Sequence, residues 1–375
     1  MLFKKICSVL FIISLSISCN TNPETFTVET SDDVRHVHNT APLWGDEERI
    51  SLEFVQKIGE LEGDDENYHF YEPEDLAVNS ENNIFILDRG NFKVKKYTSE
   101  GRFITSFGGQ GQGPGEFDLV SGIDIDNDGT IYIYDLGFQG FHVFESSGKF
   151  IRSFRNGIIT LQVNLLSSGN LIAMNYAVMD PLKLNEKPLI AIFNKDGDIL
   201  KEFGKKKLYE DESWNITGNI FYFTTDEYDN VFITFPYQNR IEKYDKKGEL
   251  ILRINRELGF EESVRLLTTE YEDNEGKIYT KDITNQFSIA IQIDPAGRIW
   301  VQTFERQPEV EETIENKVPK ENPFMLEVFD SDGILLCNIK PEQGIFPVKF
   351  KIYNNRLFII NALDMCVYEY KIVEK

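Results

Sequence analysis

The chain is poor in histidine, in basic residues and, beyond its first eighteen residues, in long apolar runs. Its 375 residues include four histidines, and its 39 lysines and arginines are outnumbered by 62 aspartates and glutamates, so that the net charge is −23. Binding to nucleic acid requires a basic surface that neutralises phosphates, and this composition argues against such a partner. No segment after the N-terminal run is long and apolar enough to cross a bilayer.

The fourteen residues FGGQGQGPGEFDLV, 107–120, lack the spacing of a phosphate-binding loop despite their five glycines. Pro114 follows Gly109 and Gly111 where a dinucleotide fingerprint has its third glycine, and no lysine follows as in a P-loop. An alternating strand pattern comes next instead of a helix. We therefore expect a structural connection between strands, with Phe117 packed between sheets; a backbone-lined contribution to a central binding site is the alternative.

The N-terminus has the order of a secretory signal, with two lysines, an apolar run over 6–17 and small residues before Cys19. The segment resembles a bacterial lipobox, although Ser16 stands where leucine is usual. The resemblance implies that residues 1–18 are a removed signal peptide, that Cys19 is lipidated and that residues 19–48 form a polar tether. A simple signal peptide with a coincidental cysteine is the alternative.

Two of the four cysteines, Cys337 and Cys366, remain once those of the signal and the anchor are set aside. Each lies in an alternating strand pattern, which favours two buried free thiols. A disulfide between them is the alternative, because an exported protein meets an oxidising compartment.

A repeat of about 40 to 50 residues organises the rest of the chain. The stretches 75–108 and 122–154 align almost position by position, with Asp88 on Asp135, and weaker copies follow. Each copy contains four short alternating runs joined by Asp-Gly or Ser-Gly turns, which is the signal of β-hairpins. Four strands per unit at this period predict the blades of a β-propeller.

The sixth copy has only three strands before the chain ends. The strand RISLEFVQKIG, 49–59, precedes the first full blade and has no other partner, so we expect it to complete the sixth blade. Closing the ring in this way removes two exposed sheet edges. The sequence therefore predicts an all-β protein in which residues 49–375 form a six-bladed β-propeller of four-stranded antiparallel blades.

The repeat units resemble NHL-type repeats. GQGPGEF followed by the strand pair IDIDNDGTIYIYD is similar to the six-bladed propeller lipoproteins of Bacteroidota-type bacteria, with their G-x-G-P-G-E-[FY] motif. The resemblance covers residues 49–375 and is strongest in the first two blades. It implies the fold but not the function, because one propeller scaffold hosts unrelated activities.

The connections of such blades divide between the two faces of the ring. Those from the second to the third strand, and from the fourth strand to the next blade, emerge on one face, which we call the loop face. The tight Asp-Gly and Ser-Gly turns fall on the other, the turn face. The four long connections, 175–187, 204–218, 255–286 and 304–323, all belong to the loop face, which favours a binding site there.

Six residues are candidate ligand contacts on the loop face. Trp214 offers an aromatic platform for a sugar or a peptide side chain, although it is also suited to covering the gap between blades. The other candidates are polar groups near strand ends: Glu74, Asp88, Arg89, Asn91 and Asn175.

Two further features of the long connections have ordinary interpretations. The stretch GFEESVRLLTTEYED, 259–273, has apolar residues at helical spacing, which predicts a short helix packed on the propeller rim. The three lysines 205–207 form a local basic patch, which we interpret as a solvated surface.

The segment DIDNDG, 124–129, matches the start of a calcium loop, but an EF-hand needs a helix on each side. Isoleucines alternate with the polar residues here, which favours a β-hairpin. Asp124, Asp126 and Asp128 are metal candidates only under the calcium interpretation, and otherwise we expect no cofactor.

The scarcity of histidine limits the catalytic chemistry. His36 and His38 lie in the expected tether, His142 lies in a strand pattern, and only His69 precedes an inner strand. This distribution offers neither a histidine-rich metal site nor a Ser-His-Asp arrangement. We therefore expect a binding module more than an enzyme.

The predicted function is a lipid-anchored, monomeric module of the cell envelope that binds a ligand, a protein or a glycan at the loop face. No acidic cluster follows Cys19, which favours an outer-membrane lipoprotein facing the periplasm. One alternative is a calcium-dependent lactonase or hydrolase that uses Glu74, Asn175 and Asp226 in the central channel. Another is a glycan-binding component of an outer-membrane uptake system, with Trp214 as a contact.

Overall fold

The computed structural model of this chain describes residues 25–61, 64–175, 187–210, 214–261, 267–272, 278–307, 322–341, 347–361 and 363–375. Most of these residues form six blades of four antiparallel strands, which build a six-bladed β-propeller. Within the described residues, no helix is both long and apolar enough to span a membrane.

The strands follow the predicted repeat. Blade one consists of β4 (Pro73–Val78), β5 (Ile84–Asp88), β6 (Lys93–Tyr97) and β7 (Phe103–Gly108). Blade two consists of β8 (Val120–Ile125), β9 (Ile131–Asp135), β10 (Gly140–Phe144) and β11 (Phe150–Arg155). Blade three consists of β12 (Val163–Leu165), β13 (Leu171–Met174), β14 (Ile190–Phe193) and β15 (Ile199–Phe203).

The other half of the ring has the same plan. Blade four consists of β16 (Tyr222–Thr225), β17 (Val231–Phe235), β18 (Gln238–Tyr244) and β19 (Leu250–Arg256). Blade five consists of β22 (Ser288–Ile293), β23 (Ile299–Phe304), β24 (Phe324–Phe329) and β25 (Leu335–Ile339). Blade six consists of β26 (Pro347–Tyr353), β27 (Arg356–Asn361), β28 (Cys366–Glu374) and β3 (Ile50–Ile58).

The N-terminal strand closes the ring. β3 pairs antiparallel with β28, from Ile50 opposite Glu374 to Ile58 opposite Val367. The first and last strands of the ring therefore share one sheet, as the sequence predicted. Their facing edges are paired with each other at the ring closure.

The core lies between neighbouring blades. The second strands, such as β5 and β9, are buried along their whole length because both of their faces pack on other blades. Their isoleucine, phenylalanine and tyrosine residues suit that position. Phe117 is fully buried in the cluster between blades one and two. A Cβ atom at Gly108 would lie 2.4 Å from its ring, and the φ of +97° at Gly108 also favours glycine.

Residues 26–39 differ from the expected polar tether. They form a hairpin of β1 (Phe26–Ser31) and β2 (Val34–Asn39), and β2 pairs in parallel with β19 at the outer edge of blade four. A strand added to a sheet edge is held by main-chain hydrogen bonds and needs little apolar patterning. The polar composition of this segment therefore did not indicate a hairpin. Only Val37 packs in the adjacent core, and the buried Asn39 donates to the carbonyl of Gly333 in blade five.

The segment 259–273 also differs from its prediction. Its described part contains β20 (Leu267–Glu272), which pairs with β21 (Ile278–Ile283) as a two-stranded hairpin rather than forming a helix. Threonine, tyrosine and isoleucine dominate both strands, and their preference for extended backbone outweighs the helical spacing of the apolar residues. Residues 262–266 lie outside the described part of the chain.

Cys337 and Cys366 are both buried free thiols, in β25 and β28. Burial raises the pKa of each thiol to about 11. The favoured prediction is therefore confirmed, and the disulfide alternative is not.

Candidate functional site

Asp88 and Asn91, two of the candidate contacts, are engaged in holding a loop. The buried Asp88 carboxylate accepts hydrogen bonds from the backbone N–H groups of Tyr71 and Glu72, both at 3.1 Å, and from the Asn91 amide at 2.5 Å. Asp135 holds the equivalent loop of blade two through the N–H groups of Asp118 and Leu119. These aspartates fix the entry to each inner strand.

Glu74 and Arg89 belong to an ion network among the inner strands. Arg89 contacts Glu72 at 2.5 Å and Glu74 at 3.0 Å. The Lys349 ammonium, from blade six, lies 3.8 Å from Glu74 and 3.7 Å from the fully buried Asp75. Burial raises the pKa of Glu74, and the charges of Lys349 and Arg89 oppose that effect. The network joins the last blade to the first across the ring closure.

The aspartates of the calcium-like segment lie in a hairpin, as the alternating isoleucines predicted. Asp126 accepts the backbone N–H groups of Asp128 and Thr130 in the turn and also pairs with Lys195 at 2.9 Å. Asp124 accepts the N–H of Leu165, and burial raises its pKa to about 6. Among the described residues, no group of three or more histidine, cysteine, aspartate or glutamate side chains is arranged to hold a metal ion.

Glu74, Asn175 and Asp226 do not converge. The Asn175 amide donates to Glu202 on the outer strand of blade three. Asp226 accepts the backbone N–H groups of its own turn on the turn face, those of Tyr228 and Asn230. The three residues postulated for a channel hydrolase are thus held by separate partners in three blades.

Trp214 lies in a loop that two buried amides hold in place. The loop crosses from β15 to β16 and contains the short helix α1 (Trp214–Thr217). Asn219 exchanges hydrogen bonds of 2.8 Å with the backbone N–H and carbonyl of Lys207, and Asn215 accepts the N–H of Tyr209 at 2.9 Å. A Cβ atom at Gly218 would lie 2.6 Å from the Tyr209 ring, so only glycine lets that ring pack there.

Trp214 is part of an aromatic cluster on the loop face. Its ring meets that of Tyr237 edge to face, at 5.7 Å and 76°, and lies 6.4 Å from that of Tyr209. Tyr237 belongs to the short connection between β17 and β18. Burial raises the pKa of the Tyr237 hydroxyl, so this ring stays neutral at physiological pH.

A cavity of about 320 Å³ opens beside Tyr237, and we call it the blade-four pocket. Its walls include Lys207, Tyr237, Gln238, Arg240, Arg253 and Asn255. Three cationic side chains thus line one pocket of a protein with a net charge of −23. The pocket lies between the loop before blade four and the connection into blade five, on the face that carries the long connections.

The two arginines of the pocket share one carboxylate. Arg253 donates to Glu242 through Nε at 3.0 Å and Nη2 at 2.8 Å, and Arg240 Nη1 lies 3.4 Å from the same oxygen. The second oxygen of Glu242 accepts the Tyr244 hydroxyl at 2.7 Å. One buried carboxylate neutralises one of the two guanidinium groups, so the pocket remains cationic.

Arg240 is a residue of the pocket with unmet hydrogen-bonding capacity. Its guanidinium lies over the Phe235 ring, 4.3 Å from the centroid, and only 16% of its side chain is exposed. Its Nε and Nη2 atoms are buried, and neither has an acceptor in the part of the chain that the structure describes. A buried cationic donor without an acceptor is unfavourable, so this arrangement suits a ligand that supplies one.

Other cavities are less suitable. One of about 600 Å³ lies between blades five and six, and its lining includes Asp46, Glu47 and Glu48 together with residues of β3 and β25. Another, of about 330 Å³, borders Lys93 and Lys95 in blade one. The Lys95 ammonium already donates to the carbonyls of Glu66 and His69.

Sequence reasoning found Trp214 but missed Tyr237, Arg240 and Arg253, and it interpreted Lys207 as solvated. Tyr237 comes from a two-residue connection, and the two arginines come from strands rather than from the long loops. The segment QNRIEKY held a usable signal: Gln238, Arg240 and Glu242 alternate and therefore share one face of the strand.

Comparisons with known proteins agree with this architecture. Residues 52–300 match the model of the DUF5128 family, described as a six-bladed β-propeller. The structure is similar to a DUF4221-family member from Bacteroides vulgatus, with a TM-score of 0.59 and 11% identity over 87% of this chain and 99% of that one. It is also similar to a protein assigned as exported in Bacteroides fragilis, with a TM-score of 0.55 and 14% identity over 91% and 99%.

A segment of 160 residues is 27% identical to the protein brain tumor of Drosophila melanogaster and covers 41% of this chain but 14% of that protein. The two bacterial structures are too distant in sequence to show more than the fold. The resemblance to NHL-type repeats and the motif assigned to it remain predictions. Since the family model spans more than half of the residues, the chain belongs to the DUF5128 family of six-bladed β-propellers.

Proposed function

We propose that this protein is a lipid-anchored module of the cell envelope that binds a ligand or a protein partner at its loop face without catalysis. The observation that carries the proposal is the blade-four pocket, where cations, amides and aromatic rings converge on the face that bears the long connections. The two carboxylates and the amide expected to serve a hydrolase are instead held by structural contacts.

The N-terminal hairpin supports a particular orientation for the anchored protein. Phe26 pairs with Asn39, and Asn39 pairs with Arg256, where β19 ends at the loop face. Six residues lie between Cys19 and Phe26, and the seven residue-to-residue steps of an extended chain reach at most about 25 Å. A lipid on Cys19 would therefore hold the loop-face rim of blade four near the bilayer.

This orientation suits a partner at the membrane surface. A pocket on a rim close to the bilayer meets glycans and proteins of the outer membrane before it meets soluble ones. We propose attachment to the outer membrane on its periplasmic side, with membrane contact through the lipid alone.

The anchor is tested by metabolic labelling with a radioactive fatty acid in a bacterial host that processes lipoproteins. We expect label and membrane association in the natural chain and in Cys7→Ala, whose change lies inside the removed signal. Cys19→Ala should lose both. Equal labelling of Cys19→Ala would contradict lipid attachment at this residue.

The binding face is tested by placing a photo-crosslinking amino acid at single tyrosine positions of the membrane-bound protein. Position 237 lies in the pocket, and position 228 is an exposed turn-face tyrosine of the same blade. We expect crosslinked partners from position 237 and few from position 228. The reverse pattern would show that the turn face is the binding surface.

A further inference from the structure

We infer that the blade-four pocket binds an acidic saccharide, meaning a sugar ring that carries a carboxylate or a sulfate group. The inference rests on the proposed binding at the loop face and names the ligand class. Three features of the described residues support it: a cationic donor without an acceptor among them, amide oxygens that accept no hydrogen bond from them, and an aromatic wall.

Arg240 indicates that the ligand carries an anionic group. Its Nε and Nη2 atoms lie on one edge of a planar guanidinium and are buried without an acceptor in the described residues. The edge has almost no accessible surface in the empty pocket, so a ligand has to turn the guanidinium toward the cavity before the edge can meet two oxygens of a carboxylate or a sulfate. Lys207 and Arg253 line the same cavity, while Glu242, the one carboxylate of the described residues that contacts the arginines, is shared between them.

The hydroxyl groups follow from the amides of the pocket. Gln238 uses its nitrogen to donate to the carbonyl of Gly218, and Asn255 uses its nitrogen to donate to the carbonyl of Asn239. Within the described part of the chain, the amide oxygens of Gln238 and Asn255 accept no hydrogen bond, and both residues line the cavity. Two carbonyl acceptors beside a cation suit a ligand that has hydroxyl donors and a negative charge.

The ring follows from the aromatic wall and the size of the site. Tyr237 lines the cavity, and the Trp214 ring packs against it edge to face at 76°. This contact limits the movement of the Tyr237 ring. Rigid aromatic surfaces with a polar rim bind the apolar face of a sugar ring. A volume of about 320 Å³ is at the small end of ligand sites, which suits one or two sugar units.

The net charge of the protein limits the length of the saccharide that can bind. A protein carrying −23 repels polyanions at long range. Binding through the pocket therefore depends on local contacts with a short oligosaccharide rather than on a general attraction. We expect only a modest dependence on salt, because a buried ion pair is poorly screened.

The test uses the full-length protein in detergent and titration calorimetry. The probes are digalacturonate and a sulfated chondroitin disaccharide, which distinguish the two acidic groups. Maltose provides a neutral sugar, and inorganic sulfate provides the anion without a ring. We expect at least one acidic disaccharide to bind about tenfold or more tightly than maltose and inorganic sulfate.

Two variants probe separate parts of the pocket. Arg240→Gln removes the cationic donor and is expected to weaken binding of the acidic disaccharide about tenfold or more. Tyr237→Ala removes the aromatic ring without changing the charge, and it is also expected to weaken that binding. Arg102→Gln is the matched control, since Arg102 is an exposed arginine, 76% accessible, whose partner among the described residues is Glu100. It should bind as the natural chain does, and thermal melting verifies that each variant is folded.

Three outcomes would overturn the inference: no binding of either acidic disaccharide, equal binding of maltose, or full binding by both folded pocket variants. Crosslinking of a protein partner from position 237, together with no saccharide binding, would overturn the ligand class and leave the proposed binding face standing. No crosslinking from position 237, together with no saccharide binding, would overturn the binding face itself.

Discussion

Two arginines of blade four, Arg240 and Arg256, are both buried but have different surroundings. Arg256 is 1% exposed and donates to Glu327 at 2.7 Å, to Asn239 at 2.9 Å and to the hydroxyls of Ser288 and Thr303 in blade five. Arg240 contacts one shared carboxylate and leaves two buried nitrogens without an acceptor in the described residues.

The difference separates a structural role from a binding role. A buried guanidinium whose three nitrogens all have acceptors ties blade four to blade five and leaves little for a ligand to improve. A buried charge with unmet donors is unfavourable in the free protein, and a ligand with matching acceptors relieves that penalty. We therefore expect mutation of Arg256 to lower stability, and mutation of Arg240 to weaken ligand binding with little effect on stability.

The largest effect is expected for Arg256→Met. The change leaves the Glu327 carboxylate buried without its cation and removes donors from three further polar groups. Breaking a buried pair in this way costs about 3–5 kcal/mol of unfolding free energy. Urea denaturation measures the loss.

A double variant, Arg256→Met with Glu327→Met, is the control for that prediction. Replacing both charges with apolar side chains removes the unpaired carboxylate, so the double variant should be more stable than Arg256→Met alone. If both were equally unstable, loss of packing rather than of charge would explain the first result.

A smaller loss of stability is expected for Asp135→Asn. This variant extends the comparison to a buried carboxylate whose oxygens accept hydrogen bonds. Burial favours the neutral form of Asp135, but His142 at 3.4 Å and the backbone N–H groups of Asp118, Leu119 and Phe138 lower its pKa to about 2. Its ordinary value is about 3.9, so ionised Asp135 stabilises the fold by about 2 kcal/mol at neutral pH.

The sign of the pH dependence follows from that lowered pKa. The contribution of Asp135 is complete above pH 4 and is lost as the pH falls toward 2, where the folded carboxylate takes up its proton. The natural chain should therefore lose its advantage over Asp135→Asn across this range in urea denaturation. Asp128→Asn, at an exposed turn of the same blade, should show no such convergence.

Much of the fold is readable from the sequence because each blade is specified locally. Alternating residues and turns such as Asp126–Gly129 define the strands, and the unpaired strand at 49–59 predicts ring closure. The hairpin at 26–39 is not readable, since main-chain bonding to β19 needs no apolar pattern. The pocket is not readable either, because Lys207, Tyr237 and Arg240 come together only through strand register and the path of the 204–219 loop.

The smallest effect on stability is expected for Arg240→Gln, the variant that most directly tests the contrast. The change removes one ion pair of 3.4 Å and also removes two buried donors that lack acceptors, so the two consequences offset each other. We expect the unfolding free energy in urea to change by less than about 1 kcal/mol, while acidic disaccharide binding weakens. A loss of stability as large as that of Arg256→Met would mean that Arg240 is structural as well, because an arginine kept for a ligand contributes little to the empty fold.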